Sequence, residues 1–198
     1  MIPPVNDYRR PESVRKPNRT ILIVTNGERT EVDYFEGFKN EVRLPGITII
    51  SANHSNPQNV YGYAQGKETE YDEVWCVLDV DQFGEEVKTV IDKAKASRIR
   101  CAVSNPCFEA WLLMHFQYST ASLTPQEAVK KLKQVLPSYD KSRLQFTDFF
   151  ARIDTAIQNA QKLERHHQEN RVNFPCDSNP YTSVHILMEM LKKENTQI

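Results

Sequence analysis

Asp79 and Asp81 stand one residue apart where the apolar run Val74–Leu78 gives way to the polar stretch "DVDQFG". In an extended chain, residues i and i+2 point to the same face, so the two carboxylates are expected side by side. Anions held that close repel, and one is driven towards protonation unless a cation intervenes. Hard carboxylate oxygens suit magnesium or manganese. The alternative reading makes Asp81 the cap of the next helix and leaves Asp79 facing solvent beyond the sheet.

Two more stretches carry ligand-type residues. The run "ILIVTNGERTE" empties a buried-looking strand into Asn26-Gly27-Glu28-Arg29-Thr30-Glu31. In "SNPCFEAWLLMHF", Asn105 is expected to cap a helix whose first residue is Pro106. Glu109 then falls in the first helical turn, where the helix dipole favours an anion, and it can also lean towards the acid pair. Phe108, Trp111, Leu112 and Phe116 read as core, and His115 as a core or boundary histidine rather than a base.

The elements that must position these residues alternate. Ile21–Thr25, Ile47–Ser51, Val74–Leu78 and Arg100–Val103 are short apolar runs that read as strands. Between them lie helical patterns: one opening at Thr30, its expected cap, with Tyr34, Phe35 and Phe38 on one face; one from near Pro57; and one over Glu85–Ser97. Such alternation predicts a four-stranded, mostly parallel sheet covered on both faces. Ligands of these sheets bind at the carboxyl ends of the strands, which selects Thr25–Glu31, Asp79–Gly84 and Ser104–Glu109. After Phe116 the strand signal disappears, and Pro125–Leu136, Asp148–Glu169 and Thr182–Lys193 read as amphipathic helices. The expected organisation is a basic arm over 1–20, an α/β core over 21–118 and a helical part over 119–198 that packs on that core.

Composition narrows the function classes. The 198 residues suffice for one substantial core, and 26% charged with 39% hydrophobic residues fits a globular protein. A formal net charge of −1 argues against indiscriminate coating of nucleic acid. The local basic patch is the leader, where Arg9, Arg10, Arg15, Lys16 and Arg19 face only Asp7 and Glu12; the same composition also fits a solvated terminus. Cys76, Cys101, Cys107 and Cys176 form no C-x-x-C pair, so no zinc knuckle is indicated. No apolar run nears the roughly 18 residues of a membrane span and no signal peptide is evident, which places the chain in the cytoplasm.

The blocks "ILIVTNGERTEVDYF", "DEVWCVLDVDQFG", "SNPCFEAWLLMHF" and "NPYTSVHILMEML" resemble, in order, those of the RloB family, also described as AbiLii-like. The resemblance implies a Toprim-like (Rossmann-like) fold with a glutamate after strand one and an Asp-x-Asp pair after strand three, together holding one or two Mg2+ or Mn2+ ions. It implies a nuclease acting on DNA or RNA in phage defence or abortive infection, often beside an ATPase partner. Asp79 and Asp81 match the paired acids, Glu109 and Asn105 match the Asn-Pro-Cys-Phe-Glu block, and Asn179, Thr182 and His185 match the C-terminal block. His185 is open to two roles: contacting a phosphate or shuttling a proton, or holding the last helix to the sheet.

The departure is at strand one. Family members usually read Cys-Glu-Gly-Glu-Lys-Thr-Glu where this chain has Thr25-Asn26-Gly27-Glu28-Arg29-Thr30-Glu31, so Asn26 occupies the place of the catalytic-type glutamate. An amide oxygen can ligate magnesium but brings no charge and takes no proton near neutral pH. Glu31 or Glu28 is then expected to supply the missing carboxylate, and Arg29 to neutralise a substrate phosphate. The competing expectation is a catalytically weakened sensor or interaction subunit that works with an ATPase or binds a nucleotide signal. A phosphoacceptor receiver-like domain ranks last, because "CAVSNPC" offers no lysine after a later strand.

Overall fold

The computed structural model describes residues 19–52, 56–172 and 175–196. The basic arm expected over 1–20 lies outside them except for Arg19 and Thr20. The Arg19 guanidinium bridges Glu73 at 2.7 Å and Glu194 at 3.0 Å.

Among the described residues, five strands form one sheet in the order β2-β1-β3-β4-β5. β1 (Ile21–Thr25), β2 (Ile47–Ser51), β3 (Glu73–Asp79) and β4 (Ile99–Asn105) are parallel. Period-two alternation divides the apolar side chains between two faces. Ile21, Ile23, Trp75, Val77 and Ala102 pack into one core, and Leu22, Val24, Val74, Cys76, Leu78 and Val103 into the other. The second core is closed by α2 (Pro57–Lys67) and α3 (Gly84–Lys95). The Asn56 side chain accepts the Asn59 N–H, and Pro57 stands at the helix start, which fixes α2 where the sequence suggested.

The first core is larger. It gathers α1 (Thr30–Val42), α4 (Glu109–Met114), α5 (Pro125–Val135), α6 (Thr147–Phe150), α7 (Ile153–Glu169) and α8 (Val184–Thr196). Gly37 on α1 lets α6 in: a methyl group there would collide with Cβ and Cγ of Phe146. At the centre, Tyr34 meets six rings, among them Phe108, Trp111, His115 and Phe149. His115 is fully buried, as its place in the apolar run suggested. Its Nδ1 faces the Trp111 and Leu112 carbonyls and so carries the proton, while Nε2 accepts from the Tyr34 hydroxyl at 3.0 Å. Burial lowers its pKa to about 3.

The structure departs from the four-strand expectation at the C-terminal part, which supplies β5 (Tyr181–Thr182), antiparallel to β4. Thr182, expected in the last helix, is a strand residue; its hydroxyl accepts the Val184 N–H and also pairs with the Ser104 hydroxyl. The expected helix over 148–169 is interrupted. Arg152 N–H returns to the Phe149 carbonyl, a tight turn that lets both Phe149 and Ile153 enter the core. Among the described residues no helix is long and apolar enough to cross a membrane.

Candidate functional site

The carboxyl ends of β1 and β3 open into a cavity of about 730 Å³. Its lining combines Asn26, Gly27, Glu28, Arg29, Thr30 and Glu31 from the β1–α1 turn and helix start with Asp79 at the end of β3 and Gln82 beyond it. Asp140, Lys141 and Ser142, from the connection between α5 and α6, close the far side. A larger opening of about 880 Å³ lies between α2 and α3, lined by Gln58, Glu68, Lys93 and Arg98 among others. Arg98 immediately precedes β4, so that opening sits at the amino end of the strands, away from where parallel sheets bind their ligands.

Asp79 is the last residue of β3 and projects into the cavity between two sheet neighbours. Its Oδ1 is buried and has no hydrogen-bond partner. Burial, then the charges of Glu31 and Glu109, push its carboxyl well above the usual aspartate range, against a hydrogen bond from the Phe108 backbone and the charge of Lys141. Asn26 is held by its N–H to the Val77 carbonyl at 3.2 Å, and its Oδ1 is likewise buried without a partner. Two oxygens thus sit desolvated on one cavity, a costly arrangement for polar atoms left unmatched. Glu31, the second residue of α1, is buried and folds back over Gly27, where a Cβ would overlap its carboxylate. Glycine at 27 therefore makes room for Glu31. Glu28 is exposed on the rim.

Asp81 is elsewhere. The extended backbone stops at Asp79, and Val80 opens a turn closed by the Phe83 N–H on the Val80 carbonyl at 2.6 Å. Asp81 occupies that turn with φ 28°, a left-handed conformation that aspartate tolerates. It is exposed and does not line the cavity. The i, i+2 argument required the strand to continue, and it does not. Nor does Asp81 cap α3, whose first flanking residue is Phe83.

Other candidates also take positions that spacing alone did not give. Thr30 is the first residue of α1 rather than its cap, and its hydroxyl donates to the Lys141 carbonyl. Arg29 lines the cavity with its guanidinium on the Ser142 carbonyl at 3.3 Å. Asn105 ends β4 and caps nothing: α4 begins at Glu109, and the Asn105 amide donates to the carbonyls of Pro175, Cys176 and Ser178. Asn179 is similarly occupied, exchanging two hydrogen bonds with the Leu123 backbone. His185 is buried, with Nε2 3.4 Å from Glu164 and Nδ1 against the Thr182 carbonyl, and it too is away from the cavity.

Glu109 is 1% exposed, and its Oε1 receives the Tyr139 hydroxyl at 3.0 Å and the Lys141 ammonium at 3.1 Å. Burial pushes its carboxyl up, but the Lys141 charge and hydrogen bonds from Cys107 and Lys141 outweigh burial and leave it below the usual range. Tyr139 and Lys141 were not legible as site residues. The stretch "PSYDKSR" reads only as a polar link between helices, and its contacts to Thr30 span 111 positions.

Among the described residues, no three His, Cys, Asp or Glu side chains are grouped closely enough to hold a metal ion. The donor chemistry of the cavity nonetheless suits a hard cation: two desolvated oxygens, Asn26 Oδ1 and Asp79 Oδ1, and the carboxylate of Glu31. In comparisons with known proteins, the model of the RloB-like protein family matches residues 21–191. No curated protein matches the chain, and no solved structure matches it.

Proposed function

Given that this chain belongs to the RloB-like family, we propose that it is a Mg2+- or Mn2+-dependent nuclease of Toprim type that cleaves phosphodiester bonds in DNA or RNA during phage defence. The family membership supports the defence role. The observation that carries the chemistry is the pair of partnerless buried oxygens, Asn26 Oδ1 and Asp79 Oδ1, on the cavity at the strand ends.

In this reading Asp79, Asn26 and Glu31 would hold the ion, while Asp81 stands outside the cavity on the adjoining turn. A divalent ion there activates water and steadies charge on a phosphodiester. A bound cation would favour the ionised form of Asp79, which burial and then the charges of Glu31 and Glu109 otherwise disfavour. Glu31, backed by Gly27, and Glu28 on the rim are the carboxylates placed to accept a proton from the attacking water. Arg29 from the β1–α1 turn and Lys141 from the far wall would offer positive charge to the substrate phosphate. Glu109 acts at one remove by fixing Tyr139 and Lys141.

Asn26 favours a second reading, a weakened subunit that senses or docks to an ATPase, because the amide leaves the site one carboxylate short. One assay separates the two. Labelled DNA, structured RNA and tRNA are incubated with the protein and Mg2+ or Mn2+, beside Asp79→Ala and Asp81→Ala. The nuclease reading expects metal-dependent cleavage that falls roughly a hundredfold or more in Asp79→Ala. Cleavage unchanged by both substitutions overturns the site, and no cleavage of any substrate, with the genomic neighbour present, selects the second reading.

A further inference from the structure

Lys141 reaches a buried acid from the solvent side. Its side chain is 64% exposed, whereas that of its partner Glu109 is 1% exposed. An exposed ion pair contributes little, but a carboxylate this deeply buried demands a compensating charge. The lysine is also held in place. Its own carbonyl accepts the Thr30 hydroxyl at 3.0 Å, the Ser142 carbonyl accepts Arg29, and the Leu144 N–H reaches Asp33 Oδ2 at 3.3 Å. All three partners belong to the start of α1 or the residue before it, so one helix end both presents Glu31 and anchors the segment carrying Lys141. The segment that carries the ammonium is therefore anchored where Lys141 meets Glu109.

Resting on the metal reading above, we propose that Lys141 is the built-in cation of this site: its ammonium takes the place on Glu109 that a second divalent ion would otherwise occupy, and it limits the site to one ion. With Asp79, Glu31 and Glu109 ionised, one fixed positive charge leaves an excess that a single divalent ion balances. A second ion would then meet the ammonium rather than a free carboxylate. Lys141 is a positioning residue in this scheme, setting how many ions the acids accept.

The test is a Mn2+ titration followed by the electron paramagnetic resonance signal of the free aquo ion. Wild type, Lys141→Met, Lys141→Arg, the double variant Lys141→Met with Glu109→Gln, and Asp79→Asn are compared, each shown to be folded by thermal melting. Wild type is expected to bind one Mn2+ per chain. Lys141→Met is expected to bind a second ion, or to hold one at least about tenfold more tightly because a like charge has gone. Lys141→Arg should resemble wild type, and the double variant should return to it. Binding by Lys141→Met with wild-type number and affinity overturns the proposal while leaving the metal site standing. Binding by Lys141→Met alone, with none by wild type, overturns the one-ion count. Binding retained by Asp79→Asn counts against the ligand set and not against the lysine; no binding by any variant overturns both.

Discussion

At Asp79, burial and the neighbouring carboxylates Glu31 and Glu109 favour the protonated form. A group whose folded pKa is raised contributes stability that is complete below its unfolded pKa and fades as pH rises through the folded value. At neutral pH without a cation, Asp79 therefore opposes folding. Asp79→Asn should melt higher than wild type at pH 7.5 in chelator, by about 2–4 °C for each kcal/mol relieved. The gap should close as pH falls below about 3.9, where both states hold the proton. A gap that persists unchanged to pH 3 would mean that charge is not its origin. Strand-end logic selected the stretches that carry Asp79 and Glu31, and both residues line the cavity; the i, i+2 spacing was the weaker guide. It misplaced Asp81, since a turn with positive φ right after the strand is invisible to a period-two pattern.

At the scale of elements, α1 and α4 are joined through Tyr34 and His115. Tyr34→Phe keeps the ring contacts and removes the hydroxyl that donates to His115 Nε2 at 3.0 Å, leaving a buried acceptor. That change should cost about 1–3 kcal/mol in denaturant melts; a loss below about 0.3 kcal/mol would show that the hydrogen bond is replaced. The histidine also shapes the acid limb. Its folded pKa near 3 lies below the ordinary 6.5, so its contribution is complete above pH 6.5 and is lost as pH falls towards 3. Apolar periodicity located the four parallel strands and α1 to α3. It did not reveal β5, whose two residues are too short to show alternation, nor the break before Ile153, which is set by the burial of Phe149.

For the whole molecule, residues on both sides of position 118 share one core. Leu123, Leu132, Phe149, Leu163, Leu187 and Leu191 share a buried cluster with Ile21, Trp75 and Trp111. The β4 edge also receives Thr182 and Tyr181, and Asn105 holds the segment that leads to them. A chain ending at residue 118 should therefore fail to melt cooperatively; a sharp thermal transition from that fragment would contradict a single folding unit. The site follows the same logic, since Asp140, Lys141 and Ser142 come from beyond residue 118 to close a cavity built on β1 and β3. Sequence order separates these residues by over a hundred positions from Thr30, so only tertiary structure brings them together.

The central claim is that Asp79 belongs to a metal-dependent cleavage site. It is tested most directly by single-turnover cleavage at saturating Mn2+, comparing wild type with Asp79→Ala at matched fold and concentration. The expected result is cleavage by wild type that chelator abolishes and that Asp79→Ala reduces roughly a hundredfold or more. Equal rates for the two proteins would contradict it.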